Sequence, residues 1–144
     1  MYEIQKQTST GARIIFGIII VAFISFILRV AFGTSDTSFN DDLIQAANKI
    51  NAHVPIIIDS TTRFDGVNAL SGKTFQYNYT LTTIEKTQID TQALKDVQKE
   101  AMLKAVAKNP DLTVFKKNDV ELRARYVDKN GDYVASVSLY PNEY

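Results

Sequence analysis

Apolar and polar residues follow three different periods along this chain. From Ile14 to Leu28 the sequence is apolar without a charge, and continuing through Arg29 to Gly33 gives twenty residues dominated by Ile, Val and Phe. From Phe39 the apolar positions recur at helical spacing, through Leu43, Ala46, Ala47, Ile50 and Val54. The pattern predicts a helix over 39–52, with Ser38 or Asn40 as N-cap and Pro55 at its end. A second helical stripe, Leu94, Val97, Ala101, Met102 and Ala105, predicts a helix over 91–108. Asp90 is placed to cap it, Ile89 and Leu94 to staple it, and Asn109-Pro110 to stop it.

Between and after these helices the period becomes two. In "TFQYNYTLTT" the residues Phe75, Tyr77, Tyr79 and Leu81 alternate with Gln76, Asn78, Thr80 and Thr82. The preceding "TRFDGVNAL" alternates weakly, with Phe64 and Leu70 on one face, and Ser71-Gly72 supplies a turn between the two. A second hairpin follows the second helix. "VELRARYV" places Val120, Leu122, Ala124 and Tyr126 on one side, and "DYVASVSLY" does the same with Tyr133, Ala135, Val137 and Leu139. Asp128-Lys129-Asn130-Gly131 forms the turn.

The predicted fold class is therefore α+β: an N-terminal transmembrane helix, then an αββαββ domain with a four-stranded antiparallel sheet and two helices on one face. Its core is expected to contain Leu43, Ile50, Phe75, Tyr77, Tyr79, Leu94, Val97, Leu122, Tyr126, Val137 and Leu139. The domain reading is a cytoplasmic N-terminus over 1–13, a transmembrane helix over 14–33, a linker over 34–38 and an extracytoplasmic domain over 39–144. A twenty-residue helix is about 30 Å long, which matches the hydrocarbon core of a bilayer. Arg29 lies near one end, where its side chain can snorkel. A cleaved signal peptide is the competing reading, with Lys6 and Arg13 as its basic region and Ala31-Phe32-Gly33 at the cut. Basic residues before the stretch and Asp36, Asp41 and Asp42 after it put the N-terminus inside. The expected localisation is a single-pass protein of the bacterial inner membrane, with residues 14–33 contacting the lipid bilayer.

Charge and composition exclude some chemistry. Residues 35–144 carry 13 basic against 15 acidic residues, which gives no footprint for nucleic acid. Lys116-Lys117 and Arg123-Arg125 are too sparse to read as basic patches. Cysteine is absent and His53 is the sole histidine, so no thiolate or two-histidine metal site is expected. "DKNGDYVASVSL" imitates the start of a calcium loop, but Tyr133 stands at the glycine position and Leu139 at that of the bidentate glutamate. No cofactor, metal or catalytic residue is assigned, and the chain is read as non-enzymatic.

The stretch "VPIIIDSTTRFDGV" invites a partner. Asp59, Thr62, Arg63 and Asp65 are the candidate partner-binding residues, because an arginine flanked by carboxylates makes directional contacts once water is excluded. The plainer alternative gives Asp59 and Ser60 to a turn, Arg63 to a neighbouring carboxylate and the isoleucines to the core. Val54-Pro55-Ile56-Ile57-Ile58-Asp59 with Arg63 and Asp65, followed by Tyr77-Asn78-Tyr79-Thr80-Leu81, resembles a pattern in small bacterial proteins with an N-terminal membrane segment. That resemblance covers about thirty residues and implies an envelope location, with no activity attached. The element order is similar in kind to small periplasmic adaptor, pilotin and inhibitor domains. The functional expectation is a tethered extracytoplasmic protein-binding module, a subunit or accessory factor of a bacterial envelope complex. The alternatives are a periplasmic inhibitor or immunity-type protein and, behind that, an enzyme or small-ligand carrier.

Overall fold

Residues 39–144 are described by a computed structural model; the stretch 14–33 and the linker 34–38 lie outside them. The first helix, α1 (Phe39–Asn51), turns a continuous apolar face inward, burying Leu43, Ala46, Ala47 and Ile50. After a cis Val54–Pro55 bond come β1 (Ile56–Ile57), β2 (Thr62–Leu70) and β3 (Thr74–Leu81). Helix α2 (Thr91–Lys108) begins as expected, with Asp90 accepting hydrogen bonds from the Gln92 and Ala93 amides. A short helix, α3 (Thr113–Lys117), leads into β4 (Glu121–Val127) and β5 (Tyr133–Leu139).

The five strands form one sheet in the order β1-β2-β3-β4-β5. All neighbours are antiparallel except β3 and β4, which run parallel from Thr74 opposite Glu121 to Thr80 opposite Val127. The expected four-stranded antiparallel sheet is thus corrected to a five-stranded mixed one. The two hairpins are joined by a long crossover carrying α2 and α3, and such a connection can return the chain in the same direction as it left. Ile56-Ile57, read as a bare apolar run, is an edge strand opposite Phe64 and Arg63. The expected transmembrane helix falls on residues 14–33, outside the described ones; among the described residues no helix is long and apolar enough to cross a membrane.

One face of the sheet and the helices enclose a single core, in which Phe64, Phe75, Tyr77, Tyr79, Leu122 and Tyr126 are essentially inaccessible. Tyr79 stacks on Tyr126 with ring centroids 5.3 Å apart, across the parallel pair. Leu94 and Val97 are only partly buried, so the stripe predicted for α2 is displaced towards Gln98 and Met102.

Two irregularities decide what the other face presents. A register shift between Phe64 and Gly66 keeps Arg63 and Asp65 on the open side but moves Val67 into the core. Leu70, expected beside Phe64, is instead 38% exposed. A second shift beside Val127 brings Tyr133, expected to face inward, to the surface at 48% exposure. At the first shift Gly66 has φ +131°, and an added Cβ would lie 2.5 Å from Asn51 Oδ1. That closeness lets the Asn51 amide bond both the N–H and the C=O of Val67, at 2.8 Å each, as a neighbouring strand would. The end of α1 thereby covers the edge of β2 where β1 stops.

Candidate functional site

The polar alternation of β2 to β5 puts Arg63, Asp65, Gln76, Asn78, Thr80, Arg123 and other hydrogen-bonding side chains on the sheet face away from the main core. Two closed networks lie on it. In the first, Arg63 Nε donates to Asp65 Oδ1 at 2.5 Å, while the Thr80 hydroxyl donates to Asp65 Oδ2. In the second, Glu121 accepts from Arg123 Nε at 3.0 Å, from the Ser138 hydroxyl at 2.5 Å and from the Thr74 hydroxyl at 3.1 Å. Burial alone would raise the affinity of Glu121 for a proton. The bonds from Ser138, Arg123 and Thr74 outweigh it, holding the carboxyl below its ordinary range. Between the networks, Gln76 donates to Asn78, which donates in turn to Asn68 and to the Gly66 carbonyl.

The third arginine differs. Arg125 stands opposite Asn78 on β3 and Ser136 on β5, and its guanidinium lies 5.8 Å from the centre of the Tyr133 ring. No carboxylate among the described residues pairs with it.

The structure separates the four residues singled out in the sequence. Arg63 and Asp65 are together on the open face, 40% and 28% exposed. Thr62 is fully buried on the opposite side of the same strand. Asp59 closes the turn between β1 and β2, its Oδ1 accepting from the Thr61 and Thr62 amides and the Thr61 hydroxyl. Of the isoleucines, Ile57 is 69% exposed, whereas Ile56 and Ile58 pack at the core margin. Asp128, in the calcium-like stretch, accepts from the Lys86 amide and from those of Asn130 and Asp132. These bonds, Lys86 first, hold its carboxyl below the usual range and make it the organiser of the hairpin turn.

A cleft of about 580 Å³ opens between the end of α2 and α3, lined by Leu103, Val106, Leu112, Lys116 and Tyr144 among others. Among the described residues no group of three histidine, aspartate or glutamate side chains could hold a metal ion. Sequence reasoning missed the grouping around Arg125, because Tyr133 reaches it only through a register shift that leaves no mark on the alternation.

Residues 38–134 match the model of a family described as Domain of unknown function (DUF8479). No curated protein matches the chain. Among solved structures it is similar to a candidate secreted protein from Pseudomonas aeruginosa, with 14% identity and a TM-score of 0.60, over 77% of this chain and 98% of that one. It also aligns with the type II secretion system pilotin AspS from Vibrio cholerae, at 13% identity and a TM-score of 0.47, over 73% and 94% of the two chains. The first likeness establishes a shared fold; the second is too distant to carry an argument. The localisation read from the sequence, a single-pass inner-membrane protein, is corrected on two findings. Among the described residues no helix is long and apolar enough to cross a membrane, and the protein that shares the fold is described as secreted.

Proposed function

We propose, for a chain that belongs to the DUF8479 family, that the folded domain is a non-enzymatic protein-binding module acting as an accessory factor in the bacterial envelope. The observation that carries this reading is the open sheet face. Small-molecule sites are usually concave and largely apolar, enclosing most of their ligand. This face instead spreads fixed polar groups over several strands. Its two arginine–carboxylate networks already hold their side chains in place, so little rotamer freedom remains to be lost when a partner covers them. The description of the Pseudomonas protein as a secreted one supports the extracytoplasmic setting. Arg63 and Asp65 are proposed as contact residues; Asp59 and Thr62 act behind them, shaping the turn and the strand.

The test is site-specific photo-crosslinking in cells that express the full chain. A crosslinker at Gln76, on the open face, should give a discrete protein adduct, and one at Lys104, exposed on α2, should not. Arg63→Ala and Asp65→Ala should weaken the Gln76 adduct. Equal labelling from both positions, or none from Gln76, would reject the open face as the binding surface.

A further inference from the structure

We infer that Arg125 is the anchor of the open face, a recognition site for a single carboxylate, supplied by an acidic side chain on a protein partner. The inference rests on the reading of that face as a binding surface and gives it a chemistry. Three arginines project from the face, and the chain treats them differently. Arg63 has Asp65 two residues along its strand, and Arg123 has Glu121 two residues back. Residues two apart share a strand face, so each of these arginines carries its own counter-ion. The corresponding neighbours of Arg125 are Arg123 and Val127, and its cross-strand neighbours are Asn78 and Ser136. Among the described residues the result is one positive charge on this face without a carboxylate partner, with neutral hydrogen-bonding side chains on the two neighbouring strands.

An aromatic ring also stands beside it. The Tyr133 ring, brought to this face by the register shift, sits against the guanidinium at cation–π distance. A guanidinium held against a ring keeps its N–H edge available for two parallel bonds to a planar carboxylate. Charge complementarity therefore selects an acidic group. One cation does not suit a lipid surface or a nucleic acid, where clustered basic residues supply the affinity. A protruding Asp or Glu on a protein surface fits the count, the geometry and the openness of the site.

The test follows the arginine Nε–H NMR signals of the full chain in neutral detergent, titrated with a glutamate-rich decapeptide. The glutamine version of the peptide, inorganic phosphate and phosphatidylglycerol vesicles serve as alternative probes. The Arg125 signal should shift with the glutamate peptide and not with its glutamine version, while those of Arg63 and Arg123 stay in place and report an intact fold. Arg125→Gln should weaken peptide binding at least tenfold, and Arg125→Lys and Tyr133→Leu by smaller factors. Equal shifts at all three arginines, no shift at Arg125, or a stronger response to phosphate or vesicles would overturn the assignment. A persisting Gln76 crosslink in Arg125→Gln would sink this inference and leave the binding-face reading standing. Loss of the crosslink even in the unaltered chain would sink that reading.

Discussion

The two long helices cover the same sheet face by different means. Helix α1 buries four apolar residues in thirteen, and Asn51 at its end is bonded twice to the edge of β2. Helix α2 is longer, yet only Gln98 and Met102 are fully buried. Neither polar atom of the Gln98 side chain has a hydrogen-bond partner. What holds α2 to β5 is partly polar: Lys99 Nζ donates to the Ser138 carbonyl at 2.6 Å and pairs with Glu143 at 2.7 Å. Hydrophobic burial depends little on pH or salt, whereas a half-exposed ion pair depends on both. The first helix is therefore expected to open only with the whole domain, and the second to loosen by itself. The largest effects should follow changes at α1.

Leu43→Ala removes a side chain that is 2% exposed in the buried face of α1. It should cost about 2–5 kcal/mol, measured by urea unfolding. The matched change on the other helix, Leu94→Ala, touches a partly buried residue and should cost about 1 kcal/mol. Equal losses at the two positions would break the comparison.

Gly66→Ala tests the other attachment of α1. The φ of +131° disfavours any L side chain, and the new methyl would press on Asn51 Oδ1. Destabilisation of about 2–3 kcal/mol is expected, combining backbone strain with the loss of a paired amide. Asn51→Ala should reproduce the part due to the lost bonds, and in Asn51→Ala the further change at Gly66 should cost less than it does alone.

How much of this contrast could be read in the sequence depends on the range of the interaction concerned. Helix ends follow from local chemistry: Pro55 beyond the first helix, and Asp90 and Asn109-Pro110 around the second, stop the helices close to where they were expected. The faces of β3 and β4 were legible because strict alternation survives there. The parallel join of those strands was not, since it depends on where a helical crossover returns the chain. Register shifts hid the rest. One residue of slip moved Val67 inward and Tyr133 outward without disturbing composition, and so the surroundings of Arg125 were invisible. Gln98 lay beside Asp96, Lys99 and Glu100 as an apparent surface residue, yet it is buried in the fold.

Gln98→Leu sharpens the comparison by an expected gain. An unpartnered amide in the core costs about 1–3 kcal/mol of desolvation, and leucine has a similar volume without polar atoms. Stability should rise by about 1 kcal/mol, and amide exchange along α2 should slow more than along α1. A loss of stability would mean that the amide is satisfied in solution and that α2 is seated as firmly as α1.

The smallest effect is expected from the ion pair itself. The hydrogen bond from Lys99, followed by that from the Tyr140 amide, keeps the Glu143 carboxyl below its ordinary value of 4.5. A carboxyl depressed in the folded state stabilises it above the unfolded value, and that contribution fades as pH falls through the lower folded one. Below pH 4.5, exchange protection of α2 should therefore decline before that of α1. Protection factors corrected for the intrinsic pH dependence of exchange would show this. Lys99→Met keeps most of the aliphatic stem while removing the charge, and should produce the same selective loosening already at pH 7. If α1 and α2 lose protection together in both experiments, the two helices belong to one cooperative unit and the contrast in their burial has no dynamic consequence.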